Sequence, residues 1–297
     1  DVSKFDISKI KKKFAVTIIA TSKKHISNKI IMKKFLKVSE YVVGVAESKN
    51  FPSMYPNLLN LNSKLIDIKP KNIGKEKIFA LGSCQSNGWQ AQLRGLIEVF
   101  ENLKVDYFKM IGAEVDIIHP DTPQGRLGTK SIEPREQDAR NNFRPSFSQV
   151  GISMKKLFPK SHSVHTVSLR TLISPPGFQI SRFYFRYKFK NNTRVNKEIF
   201  LKKLKVFSKK NPEILKISDN TLGSKAFEFT ETSAIMLSDE KYFHLNENLF
   251  SNNLKREKNS ICQIIMQSYV HNTRGYCRSV LNSIKKLLEN KKEIFIF

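Results

Sequence analysis

Phe14-Ala15-Val16-Thr17-Ile18-Ile19-Ala20 is an apolar, β-branched run that closes on Thr21-Ser22. A short, unbroken apolar stretch of this kind reads as a buried strand, the sort held in a parallel sheet. From about Ile26 to Val38, Ile, Phe and Leu recur at helical spacing with Lys on the other face, which predicts a helix. Tyr41-Val42-Val43-Gly44-Val45 reads as a second strand. A loop holding Pro52 and Pro56 follows, and Lys77-Ile78-Phe79-Ala80-Leu81 is a third strand. Strand, helix, strand, strand at this spacing predicts the back half of a doubly wound α/β domain. No strand that would make the front half is present, and no Gly-x-Gly-x-x-Gly occurs, so any dinucleotide site is expected to be incomplete.

Beyond residue 83 the pattern changes. Trp89, Leu93, Leu96, Ile97 and Phe100 predict a helix from Gly88 to about Leu103. Strands are expected at Val105–Met110 and Glu114–Ile118. The long polar segment from His119 to Arg144 has the length of a functional loop. Ser148–Phe158 reads as a short helix, Ser168–Ile173 and Phe178–Phe189 as strands, and Lys197–Lys209 as a basic amphipathic helix. Ser233–Leu237 with Tyr242–Leu245 predicts a hairpin, Ile261–Tyr269 a last strand, and Gly275–Leu288 a closing helix. The expected fold is therefore α/β, with a partial parallel-sheet domain over residues 1–83. A strand-rich α+β domain with a mostly antiparallel sheet follows over 84–297, its closing helix returning to the first domain.

Composition excludes several classes. At 40% hydrophobic the chain is too apolar for a disordered polyelectrolyte. Its longest apolar stretches, Phe14–Ala20 and Ile261–Met266, fall far short of a membrane span. Three cysteines make no disulfide scaffold, so a reducing, cytoplasmic setting is expected. The chain opens at Asp1 with no Met and no secretion-type segment, and a truncated or processed product is the expectation. The formal net charge is +26, yet 40 of the 52 basic residues are Lys, scattered from Lys4 to Lys292. A dedicated nucleic-acid protein concentrates Arg and aromatics on one stripe. Here only weak, nonspecific polyanion affinity is expected.

One junction carries chemistry. Leu81-Gly82-Ser83-Cys84-Gln85-Ser86-Asn87-Gly88 joins a strand to a helix. A cysteine there sits at the positive helix end, where free N–H groups favour thiolate and can hold an oxyanion. The same cysteine could equally be a small buried residue beside capping serines. Cys262 and Cys277 read as small core residues. His162 and His165 lie three apart with no third ligand evident, so no metal centre is expected.

Gly82-Ser83-Cys84-Gln85-Ser86-Asn87 after a strand resembles the Ser-Cys-Thr-Thr-Asn nucleophile motif of the glyceraldehyde-3-phosphate dehydrogenase family. Asn142-Phe143-Arg144-Pro145-Ser146-Phe147-Ser148-Gln149, running on to Pro159, is similar to that family's phosphate-helix block. Ser168-Leu169-Arg170-Thr171 resembles its arginine strand. Tyr269-Val270-His271-Asn272-Thr273-Arg274-Gly275-Tyr276 resembles the signature before its C-terminal helix. The four blocks keep the family's order and cover nearly the whole chain from Phe14. The resemblance implies a partial Rossmann-like domain and a catalytic domain. It also implies NAD or NADP as cofactor, a homo-oligomer, and glycolytic oxidation of a phosphorylated aldehyde. Cys84 would be the nucleophile that forms a thiohemiacetal and then a thioester. Ser83, Ser148, Arg170 and Thr122 would bind phosphate, and Asn272 and Tyr276 would face the nicotinamide. Arg170 also fits a structural ion pair, and Asn272 an ordinary turn residue before Gly275.

The base stays open. The family's Cys-to-His spacing lands on Ile111, whereas His119-Pro120-Asp121-Thr122-Pro123-Gln124 echoes its histidine block after an insertion. His119, Glu114 and no functional base are the three alternatives. Gln149 replaces the family's glycine, and Gln85 and Ser86 replace its threonines, altering the subsite for inorganic phosphate as second substrate. The alternative to an enzyme is an impaired homologue kept as a binding or scaffold protein, with weak nucleic-acid affinity. A semialdehyde dehydrogenase shares the cysteine logic, but the arginine strand and the Asn-x-x-Gly-Tyr block weigh against it.

Overall fold

The computed structural model describes residues 2–59, 61, 71–72, 75–121, 137–160, 163–189, 196–247, 260–289 and 295–296. In the first part, β1 (Phe14–Ile19) is followed by α1 (Lys23–Ile26), α2 (Lys29–Lys34) and β2 (Ser39–Gly44). After β3 (Lys71–Asn72) comes β4 (Ile78–Ala80), and β1, β2 and β4 form a three-stranded parallel sheet in that order. The single helix expected over 26–38 is broken into α1, α2 and a 3-10 turn at Phe35–Lys37. Asn28 causes the restart: its side chain accepts the N–H groups of Ile30 and Ile31 at 2.9 and 3.1 Å, capping a new helix. The apolar face survives the break, since Ile26, Ile31, Met32 and Phe35 pack on Val42 and Ile78.

The second part opens with α3 (Cys84–Asn102), then β5 (Val105–Pro120), β6 (Arg144–Pro145), α4 (Val150–Leu157), β7 (Ser163–Thr171) and β8 (Gly177–Phe189). It continues through α5 (Lys197–Lys210), β9 (Leu215–Ser218), β10 (Ala234–Leu237), β11 (Phe243–Glu247), β12 (Ser260–Val270), α6 (Arg274–Glu289) and β13 (Phe295–Ile296), which pairs with β3. The large sheet runs β6-β7-β5-β8-β12-β10-β9, with β11 also paired to β12. It is mostly antiparallel, with parallel pairs at β5–β7 and β9–β10. The chain is thus α/β, a small parallel sheet beside a larger mixed one.

Three expectations are corrected here. Val105–Met110 and Glu114–Ile118 are one strand, because a register shift between Met110 and Gly112 absorbs the pattern break as a bulge. The segments 233–237 and 242–245 do not pair with each other; β10 and β11 both pair with β12, whose eleven residues are long enough to hold both. The helix after the first sheet begins at Cys84 rather than Gly88, because Ser83 caps it.

That helix lies across the large sheet. Trp89 stacks on Phe183 with centroids 6.0 Å apart and meets Phe158 edge-on, and Phe100 meets Phe185 at 4.9 Å. A Cβ on Gly88 would sit 2.4 Å from a Val270 methyl, so glycine sets how closely the first helical turns approach β12. From the C-terminal end, α6 covers the small sheet: Tyr276, Val280 and Leu287 pack with Tyr41, Val43 and Phe79. No helix among the described residues is long and apolar enough to cross a membrane.

Candidate functional site

Gly82 opens the site. Its φ of +78° is a left-handed conformation that glycine takes without strain, and it turns the chain from β4 into α3. Its carbonyl accepts the Tyr276 hydroxyl at 2.5 Å, tying this turn to α6. Ser83 is the N-cap, its Oγ accepting the Ser86 N–H at 3.2 Å. Cys84 is therefore the first helical residue, partly exposed, at the positive end of a helix of nineteen residues.

β5 and β7 run parallel in a register that pairs His119 with Arg170 at their carboxyl ends. His119 Nε2 lies 3.6 Å from Cys84 Sγ. The other ring nitrogen, Nδ1, lies 2.5 Å from the Pro120 carbonyl and 3.3 Å from Arg170 Nη1. An Nδ1–H donated to that carbonyl leaves the Nε2 lone pair facing the thiol, the arrangement of a base beside its nucleophile. Arg170 is next paired across β6–β7 with Arg144, so an imidazole and two guanidiniums form one row. Asp121 follows the end of β5, pairs with Arg144, and lies 3.6 Å from Arg170 Nη1.

Cys84, His119 and Arg170 of this group, but neither Arg144 nor Asp121, line a cavity of about 320 Å³. Ser83 and Ser148 face it with them, and each also accepts a backbone N–H. Val45 and Ala46 supply its wall from the end of β2, where ligands collect in open parallel sheets. Asn272 and Tyr276 close another side. Asn272 Oδ1 is buried with no hydrogen-bond partner among the described residues. Burial holds the Tyr276 phenol well above its ordinary value, and negative charge at Cys84 and Glu47 adds to this, so it stays a donor to Gly82.

Of the residues singled out from the sequence, Cys84, His119, Ser83, Ser148, Arg170, Asn272 and Tyr276 meet in this one cavity. Thr122 and His162 lie outside the described residues. Glu114 does not join them. It is five positions from His119 on the same strand and so points to the opposite face, where its carboxylate accepts the Tyr184 hydroxyl at 3.2 Å. Cys262 is buried, but Cys277 is exposed, one position round α6 from the inward Tyr276. Among the described residues no cluster of three or more His, Cys, Asp or Glu is arranged to hold a metal.

Arg144 and Glu47 escaped the sequence reading. Arg144 is 1% exposed, and only strand pairing brings it beside Arg170. Glu47 left one trace, a lone acid directly after the apolar run of β2. No protein-family model matches the chain, and no curated protein does either.

Proposed function

We propose that the chain is an oxidoreductase that oxidises a phosphorylated aldehyde through Cys84, using NAD or NADP, in the manner of the family its motifs resemble. The observation that carries this reading is Cys84 Sγ at 3.6 Å from His119 Nε2, in a cavity that Arg170 also lines. His119 takes the thiol proton, and the thiolate attacks the aldehyde carbon to give a thiohemiacetal on Cys84. N–H groups of the first turn of α3 stabilise the oxyanion. Arg170 holds the substrate phosphate with its planar fork. After oxidation to the thioester, attack by phosphate or water frees the acyl group and restores the thiol.

A bound nicotinamide would supply the hydride acceptor. Asn272 fits its carboxamide, because a buried acceptor with no partner among the described residues suits an amide N–H. The chain offers no glycine-rich turn for a pyrophosphate, so weak NAD binding is expected of this polypeptide. We place the protein in the cytoplasm as a homo-oligomer whose lysines bind nucleic acid only nonspecifically.

The test is alkylation by iodoacetamide at neutral pH, read by mass spectrometry. Cys277 is exposed and serves as an ordinary thiol in the same molecule. Cys84 should react at least tenfold faster, roughly the gain from lowering a thiol pKa by about one unit or more. Equal rates would favour a binding or scaffold protein without this chemistry.

A further inference from the structure

Behind the cavity lies a buried carboxylate with no part in the chemistry above. Glu47 is fully buried just past the end of β2. Its oxygens take the Tyr55 hydroxyl, the Ser153 hydroxyl at 2.7 Å, the Ser53 hydroxyl at 3.1 Å and Lys156 Nζ at 3.2 Å. Lys156 also donates to the carbonyls of Ser48 and Phe51. The Glu47 backbone N–H donates to Gln149 Oε1 at 2.7 Å. Strand β2 of the small sheet is thereby joined to helix α4 of the second part by charge and hydrogen bonds.

The chain of hydroxyls continues inward. Ser153 Oγ lies 2.9 Å from Ser86 Oγ, which lies 2.9 Å from Ser83 Oγ. Ser153 Oγ stands in donor geometry to both the Glu47 carboxylate and Ser86 Oγ, so its single proton is shared between the two. Ser86 and Ser83 can each donate to the other, and Ser83 Oγ also accepts the Ser86 N–H. Ser83 is thus held as the cap by a chain of hydroxyl contacts that starts at Glu47, and Cys84 is the next residue.

We propose that Glu47 is a positioning residue for the Cys84 thiol, acting through Ser153, Ser86 and Ser83 across the joint between the two sheets. The idea rests on the reading of Cys84 as a nucleophile and adds what holds it ready. With the relay intact, the first turn of α3 keeps one geometry at the helix end that carries Cys84. Without it, the Ser83 hydroxyl is free to rotate and the cap loosens.

The experiment uses the full chain with Ser153→Ala, Ser153→Thr and Ser86→Ala. Iodoacetamide rates at Cys84 and Cys277 are followed from pH 5 to pH 9, with thermal melts to confirm folding. Ser153→Ala should slow Cys84 about fivefold at neutral pH, the effect of one neutral hydrogen bond. It should also move the midpoint of the Cys84 pH profile upward and leave Cys277 unchanged. Ser153→Thr, which keeps the hydroxyl, should restore both. Ser86→Ala should reproduce the loss and decides the matter if Ser153→Ala does not fold. Folded alanine variants with unchanged rate and midpoint would overturn the relay. A wild-type Cys84 no faster than Cys277 would instead defeat the nucleophile reading, and the pH midpoint would still report on the relay.

Discussion

The small sheet and the large sheet approach the same cavity by different means. The small one offers its strand ends: Val45 and Ala46 past β2 in the wall, Glu47 behind them, and the end of β4 leading into Ser83 and Cys84. The large one sends the cavity-lining side chains of His119 and Arg170 from adjacent parallel strand ends. Their cores differ as well. Beneath α3 the large sheet is sealed, with Trp89, Phe183 and Phe185 fully buried. At the edge of the small sheet, β1 leaves Phe14 49% and Ile18 41% exposed. The large buried aromatic core lies under α3, while the small sheet adjoins the helix end that carries the thiol.

Truncation should break this contrast most sharply. Phe183→Ala removes a fully buried ring stacked on Trp89 and should cost about 3–5 kcal/mol. Ile18→Ala at the open edge should cost under about 1 kcal/mol. Urea unfolding measures both, and equal losses would show that the two cores are not different in kind. Next in size, Arg170→Gln should weaken by about tenfold to a hundredfold the protection that a phosphorylated aldehyde gives Cys84 against iodoacetamide. A non-phosphorylated aldehyde should lose little. Protection unchanged with the phosphorylated compound would remove Arg170 from the site.

The smallest effect concerns His271, where the last strand of the large sheet hands over to α6. Burial holds its pKa below the usual imidazole value of 6.5, and Arg274 pushes the same way. Its ring lies 2.7 Å from the Glu228 carbonyl and 3.2 Å from the Thr273 hydroxyl. A lowered folded pKa means that the unfolded chain binds the proton first as pH falls. The stability from this group is therefore present above about pH 6.5 and declines below it, down to the folded pKa. His271→Asn should flatten that acid-side decline in melts recorded between pH 5 and pH 8. A slope equal to the wild type would assign the decline to other groups.

Local pattern was informative where one element decides its own fate. The apolar run at 41–45 is the buried parallel strand its composition predicts. The run at 14–20, expected to be buried, is instead a parallel edge strand left largely exposed, because the sheet adds no neighbour beyond β1 among the described residues. Cys84 was legible because a strand-to-helix junction gives a thiol a helix end whatever surrounds it. The choice of base was not legible. His119 and Glu114 stand on one strand, and only the pleat, together with the bulge at Met110/Gly112, decides which side chain faces α3. The hairpin expected from β10 and β11 failed for a related reason, since pairing partners are chosen by the whole sheet.

Sequence alone determined the alternation of elements, the charge balance and the thiol at the head of a helix, because these depend on neighbours along the chain. Tertiary structure decided that an imidazole would stand beside that thiol and a second arginine beside the first. It also decided that a lone glutamate would reach the same helix through three serines. The thiol–imidazole and glutamate–serine contacts join residues 35 and 106 positions apart, separations at which only packing brings groups within hydrogen-bond distance.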